Sequence, residues 1–121
     1  MNKLWFKSAA SAIEYSSKYM DTKLEINKMV PAEVLYIDKS NEGLRLELRI
    51  AMDDSIVDIS TLSYDPDAFI KVGDLVVFMP RVFILEMKGS VHAWRGCVIG
   101  KLDLSYDLQE NGWGISEWYL S

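Results

Sequence analysis

The segment that most constrains the fold of this chain runs from Lys71 to Phe78. A polar turn at Gly73-Asp74 is followed by four consecutive apolar residues, Leu75-Val76-Val77-Phe78. Because valine and phenylalanine favour a pleated, packed surface, this pattern predicts a tight turn that leads into a fully buried strand. Segments of this kind recur in small closed β-barrels, where a polar turn delivers a strand into the centre of the sheet. We therefore expect a barrel, and small barrels bind more often than they catalyse.

The flanking sequence supplies further strands with turn signals between them. The clearest is Leu44–Met52, where apolar residues alternate with charged ones, as in a strand with one buried face and one wet face. With the preceding run, Val30–Ile37, it predicts a hairpin. Other predicted strands are Ser55–Leu62, Leu75–Met79 with a continuation through Arg81–Glu86, Ala93–Leu104 and Trp113–Leu120. Gly96 and Gly100 lie inside one of these and predict a bulge or sharp bend.

Residues 6–20 are predicted to form the only helix, because apolar and small side chains recur there at helical spacing from Phe6 to Met20. Ser8 is the expected N-cap. The alternative, an amphipathic helix on a membrane surface, is disfavoured because its polar face carries few positive charges. We thus predict one domain over residues 1–121, with the helix and a connector in 1–28 and a barrel in 29–121. Its class is mainly β (α+β), a five- to six-stranded antiparallel barrel of OB-like or SH3-like type.

Charge and cysteine content narrow the classes of partner. The 121 residues carry 13 basic and 18 acidic side chains, for a net charge of −5. Residues 1–28 have a net charge of +2, which leaves −7 on the barrel. An acidic barrel repels phosphate backbones, so a nucleic-acid partner is disfavoured. The single cysteine, Cys97, excludes an intrachain disulfide and fits a cytoplasmic location. No run of apolar residues is long enough to span a membrane.

Candidate catalytic and metal-binding residues are sparse. His92 is the only histidine, and no ligand spacing typical of a metal site surrounds it. Cys97 lies five positions further on, so the two side chains are expected on opposite faces of a strand. The acidic pairs Asp53-Asp54 and Asp65-Pro66-Asp67 are typical of turns. We expect no cofactor and no enzymatic activity, and the alternative of a carboxylate-based enzyme rests on Asp58 with Glu47.

Aromatic residues give the candidate binding site. Three of the four tryptophans, Trp94, Trp113 and Trp118, lie in the last third of the chain. They either fill the barrel and cover its C-terminal edge, or line a groove for a peptide, a sugar or unstacked bases. Arg81 and Arg95 are candidates to flank such a groove, where they would pair with an acidic ligand.

Two sets of residues resemble known proteins. The segment Lys71–Val76 with the later apolar run Val82–Leu85 resembles the closing hairpin of OB-type barrels, in particular those appended to transport ATPases and those that bind molybdate. The Ser-Ala-Arg-Asn signature of the oxyanion-binding members is absent, so their ligand and site residues do not carry over. A wider set resembles short uncharacterised proteins of bacteria and mobile elements, which implies no known activity; it comprises Phe6–Ala9, Pro31–Val34, Lys71–Val76, Ala93–Gly96 and Gly112-Trp113.

These observations favour a non-enzymatic binding or adaptor module that acts through protein–protein contact. Self-association through the tryptophan-rich C-terminal strand is a variant of this hypothesis, because an unpaired edge strand invites pairing with a second copy. The alternative from another class is an OB-type binder of single-stranded nucleic acid.

Overall fold

The computed structural model describes residues 2–40, 43–63, 69–85 and 92–119, with side chains described over 2–39, 44–61, 69–81 and 96–119. This part of the chain holds one helix and seven strands. In chain order they are β1 (Lys3–Trp5), α1 (Ala9–Tyr19), β2 (Val30–Ser40), β3 (Gly43–Met52), β4 (Ser55–Ser63), β5 (Leu75–Leu85), β6 (His92–Asp107) and β7 (Gly112–Trp118).

All pairings between these strands are antiparallel and join them into one sheet of order β1-β6-β5-β2-β3-β4, with β7 also paired to β6. The mainly β class and the β2–β3 hairpin are thus confirmed. The closed barrel of five or six strands is not confirmed, because the backbone ladder stays open and the described part contains seven strands. A side-chain contact does link β4 to β6. The Thr61 hydroxyl donates to the Gly96 carbonyl at 3.3 Å and accepts from the Gly96 N–H at 3.2 Å.

The helix is shorter than the periodicity predicts. Ser8 is the N-cap, as expected, and its hydroxyl accepts a hydrogen bond from the Ser11 N–H at 3.2 Å. Phe6 lies before the helix and donates its N–H to the Leu104 carbonyl at 2.9 Å. Met20 has extended backbone angles and ends the helix. The buried face consists of small residues and one isoleucine, which lets α1 lie close to the sheet: Ala9, Ala12, Ile13, Ser16 and Ser17.

Two apolar clusters hold the fold together, one on each face of the sheet. The first contains the inward-facing residues of β3, Leu44, Leu46, Leu48 and Ile50, with Val76 and Phe78 of β5 and Val98 of β6. The second packs beneath α1 and contains Leu75 and Val77 of β5 with Ile99 and Leu102 of β6. Because alternate residues of β5 enter different clusters, the run Leu75–Phe78 is buried on both faces, as its sequence predicts.

Where the structure describes them, the turns and the bulge that the sequence predicts are present. Gly73 adopts a φ of 92°, and the Asp74 carboxylate accepts from the Lys71 N–H at 2.9 Å, which confirms the turn before β5. Asp53 and Asp54 form the β3–β4 turn with φ values of 52° and 63°. The bulge predicted inside β6 is present beside Gly100. Val77 of β5 lies opposite Gly100 and Phe78 lies opposite Val98, which leaves Ile99 as an extra residue in β6. The predicted turns at 64–67 and 87–90, and the two central residues of the one at 39–43, lie outside the described residues.

Candidate functional site

An apolar cleft of about 280 Å³ opens on the face of the sheet that carries α1. Among the side chains that the structure describes, no charged one lines the cleft. Its walls come from the start of β2 and from β5, β6 and β7. The lining residues are Met29, Val30, Pro31, Val77, Leu102, Gly112, Trp113 and Ile115. A cleft of this composition suits an apolar group and offers nothing to hold a metal ion or a phosphate.

The strand register explains how the walls of the cleft come together. Pro31 of β2 lies opposite Val77 of β5, and Leu102 of β6 lies opposite Ile115 of β7. Directly opposed residues in antiparallel strands point to the same face, so these four side chains meet on one side of the sheet. Met29 and Ile115 form the rim, with 52% and 40% of their surfaces exposed. The cleft is therefore built on paired strands.

Trp113 forms one wall of the cleft and is held by other aromatic rings. Its indole lies 5.5 Å from the Phe6 ring and 5.2 Å from the Tyr106 ring, measured between centroids. Phe6 in turn lies 5.5 Å from Tyr15 of α1, and Tyr15 lies 4.8 Å from Tyr19. These tilted and edge-on contacts fix the indole in place, so this wall of the cleft is rigid.

Trp118 and Arg81, two of the other candidate residues, do not line this cleft. Trp118 is 51% exposed and lies opposite Gly100 of β6, which it partly covers. Arg81 is exposed and donates to the Asn27 side-chain oxygen at 3.1 Å. Trp94 and Arg95 have their backbones in β6, opposite Phe83 and Val82, and their side chains lie outside the described residues.

Sequence reasoning missed most of the lining, in particular Met29, Pro31, Val77 and Leu102. Each has the apolar character of an ordinary strand or connector residue. One signal was available, because the predicted strands carry more apolar residues than a single short helix is able to cover. That excess predicts an uncovered patch, although it does not say which strands border it.

A row of charged residues crosses the neighbouring strands. Arg49 of β3 lies opposite both Glu33 of β2 and Asp58 of β4. Its guanidinium donates to the Asp58 carboxylate through Nε at 2.8 Å and Nη2 at 3.2 Å. These bonds and the charge of Asp58, with a smaller contribution from Glu33, raise the pKa of Arg49 above its usual value. The Asp58 carboxylate is therefore bonded to a guanidinium. In the alternative of a carboxylate-based enzyme, Asp58 would instead act together with Glu47.

Tyr119 follows β7, and the pKa of its phenol lies well above its usual value. Burial raises the pKa of its phenol to about 12, and the negative charges of Glu117 and Asp74 act in the same direction. Its hydroxyl faces the Phe69 carbonyl at 3.5 Å, and its backbone N–H donates to the Ile99 carbonyl at 2.9 Å. The residue thus ties the end of β7 to the sheet while keeping its phenol neutral.

Over the residues that the structure describes, no group of three or more histidine, cysteine, aspartate or glutamate side chains is placed to hold a metal ion. Within the same ranges, no helix has both the length and the apolar character needed to cross a membrane. Comparisons with models of protein families, with curated proteins and with solved structures find no match to this chain.

Proposed function

We propose that this chain is a non-enzymatic binding module that docks an apolar segment of a protein partner in the cleft beside Trp113. The observation that carries this proposal is the lining of the cleft, which is wholly apolar and mounted on paired strands. Its volume of about 280 Å³ lies near the lower end of the range for small-molecule sites, roughly 300–1,000 Å³. It therefore suits one or two large apolar side chains better than a cofactor.

The charge distribution favours a protein partner over nucleic acid. A groove that tracks a phosphate backbone is lined by lysine and arginine, and neither residue type occurs in the described part of this cleft's lining. The net charge of −5 adds long-range repulsion. An OB-type binder of single-stranded nucleic acid is accordingly the weaker candidate. A carboxylate-based enzyme is weaker still, because Asp58 is already bonded to Arg49.

The proposal also covers the type of fold and the cellular location of the protein. We take the open sheet to be a partly closed barrel of OB-like or SH3-like type, with the hydrogen bonds between Thr61 and Gly96 in support. We place the protein in the cytoplasm, where its one cysteine, Cys97, would stay reduced.

Selection of short random peptides displayed on phage, followed by binding measurements on the winners, tests the docking site. We expect the selected peptides to share large apolar residues. Met29→Asp places a charge on the rim of the cleft and should weaken their binding by at least about tenfold, because a carboxylate there must lose water when the peptide docks. Ile26→Asp is the matched control, since Ile26 has the same 52% exposure as Met29 but does not line the cleft.

Three results would separate the alternatives. Selected peptides without apolar residues, or equal binding by the two aspartate variants, would rule out docking in the cleft. Saturable binding of oligothymidylate at low salt would favour the nucleic-acid alternative instead. A light-scattering mass equal to one 13.8 kDa chain at high protein concentration would remove the variant in which the partner is a second copy.

A further inference from the structure

A second surface lies on β1, β6 and β7. Lys3 and Trp5 of β1 are paired with Asp107 and Ser105 of β6, and Asp107 is also paired with Gly112 of β7. A Cβ atom built on Gly114 would lie 3.1 Å from both the Ser105 hydroxyl and the Asp103 carboxylate. All these residues therefore share one face of the sheet. We call this face the Trp5 shelf, formed by Lys3, Trp5, Asp103, Ser105, Asp107 and Gly114.

The shelf and the cleft lie on opposite sides of the same strands. Trp113 stands between Gly112 and Gly114 in β7, and strand alternation sends its indole to the other face, where it meets Phe6 and Tyr106. On the shelf side, those two glycines leave β7 without side chains at consecutive outward positions. The result is a flat floor beside the indole of Trp5, formed by backbone atoms and small polar groups.

Trp5 is 72% exposed, and every other residue of the shelf is polar or glycine. Ser105 beneath it is only 3% exposed, whereas Lys3 and Asp103 are exposed to solvent. The Asp107 carboxylate is fixed by hydrogen bonds from the Gln109 and Glu110 N–H groups at 2.9 and 3.1 Å. An isolated indole on a flat polar surface differs from an apolar protein-docking patch, where hydrophobic residues adjoin one another.

These groups match the chemistry of a sugar ring. A pyranose presents polarised C–H groups on one face, which pack on the electron-rich face of an indole, and hydroxyls around its edge. Those hydroxyls both donate and accept, and the shelf supplies both partners: carboxylates accept, and the lysine ammonium donates. Lys3 offsets one of the two carboxylates, so the shelf has a net charge of −1. The uncharged hydroxyls of a sugar bond to the ammonium and to both carboxylates alike, because each hydroxyl is both a donor and an acceptor.

We propose that the Trp5 shelf is a carbohydrate-binding site that takes one pyranose unit of a neutral glycan. The sugar lies on the indole of Trp5, and its hydroxyls bond to the Asp103 and Asp107 carboxylates and to the Lys3 ammonium. This site is independent of the apolar cleft, so either can fail without affecting the other.

Titration of the ¹⁵N-labelled protein with methyl glycosides of glucose, galactose, mannose and N-acetylglucosamine tests the proposal by NMR. We expect at least one sugar to shift the Trp5 indole N–H and the Gly114 amide saturably, with a Kd on the order of 1 mM. Trp5→Ala should weaken this binding by at least about tenfold, followed at the Gly114 amide. Phe69→Ala is the matched control, because Phe69 is 81% exposed but lies outside the shelf, and it should leave the binding unchanged.

Several outcomes would overturn the proposal. These are an absence of saturable shifts with every sugar, shifts confined to cleft residues such as Ile115, and equal binding by Trp5→Ala and the parent protein. Tetramethylammonium chloride is included as a cationic probe, and its saturable binding at Trp5 without sugar binding would assign the shelf to cations instead. Should Trp5→Ala fail to fold, Asp103→Asn decides the matter, since this exposed isosteric change keeps the shape and should weaken sugar binding severalfold.

Discussion

Replacement of Thr61 by valine tests whether β4 and β6 are joined across the opening of the sheet. The Thr61 side chain is 3% exposed, and its hydroxyl makes two hydrogen bonds, to the carbonyl and from the N–H of Gly96. Valine keeps the shape of threonine and removes both bonds. The variant therefore isolates the polar link from the packing around it.

The expected cost follows from these two bonds. Each hydrogen bond contributes about 0.5–1.5 kcal/mol net, so the loss of both costs about 1–3 kcal/mol. Gly96 is buried, and its N–H would be left without an acceptor, which moves the cost toward the upper end of this range. We expect the free energy of unfolding to fall by about 2–3 kcal/mol, a large share of the roughly 5–15 kcal/mol typical of a domain.

Urea unfolding followed by tryptophan fluorescence measures this loss. With a slope of about 1.5 kcal/mol per molar urea, the midpoint should fall by about 1.3–2 M while the slope stays constant. Thr22→Val is the matched control. The Thr22 hydroxyl accepts from the Asp54 N–H at 2.9 Å, but this bond is exposed and water replaces it, so we expect a loss below about 1 kcal/mol. Equal losses for the two valine variants would refute the inference that Thr61 bridges the strands.

Three further predictions concern backbone geometry and pH. Gly96→Ala should lower the free energy of unfolding by about 2 kcal/mol or more, because the added Cβ would overlap the Met79 carbonyl. In the same urea assay, Gly112→Ala should change the free energy of unfolding by less than about 0.5 kcal/mol, because the nearest contact of its Cβ lies at 4.0 Å. Asp54→Gly should raise the free energy of unfolding by about 0.5–1 kcal/mol, because the φ of 63° at that position suits glycine. An unchanged or lower urea midpoint would contradict this prediction. Burial raises the pKa of Tyr119 from 10.0 to about 12, so its neutral form stabilises the fold below pH 10 and this contribution is lost as the pH rises through about 12. Tyr119→Phe should therefore lose less stability than the parent between those pH values, and ultraviolet titration of tyrosinate should lack the component near pH 12.

Strands that show a clear hydrophobic pattern within their own residues were predictable from the sequence. The alternation in Leu44–Met52 predicts β3 because one face enters the core, and Leu44, Leu46, Leu48 and Ile50 are each no more than 1% exposed. The bounds of α1 were not predictable from periodicity alone. Phe6 continues the apolar spacing of the helix because it packs on the same cluster, yet its backbone is bonded to β6.

The remaining features depend on residues that are far apart in the sequence. β1 has three residues and no periodicity of its own, and it exists because residues 105–107 of β6 pair with it. The cleft draws its walls from four separate segments, so no local pattern marks it. Trp113 was a candidate because it is aromatic, but its place in the cleft depends on the register of β6 and β7.

The sixteen residues of β6 have a consequence for the order in which the chain assembles. This strand pairs with β5, β1 and β7, whereas β2, β3 and β4 form a continuous meander whose backbone pairings with one another involve no residue of the C-terminal quarter of the chain. During synthesis the meander is therefore able to form first, while β1 waits for a partner that begins at His92. Because such distant pairings must overcome a large loop-closure entropy, we expect slow folding, on a time scale of milliseconds to seconds. β1 is thus synthesised before the meander but pairs after it.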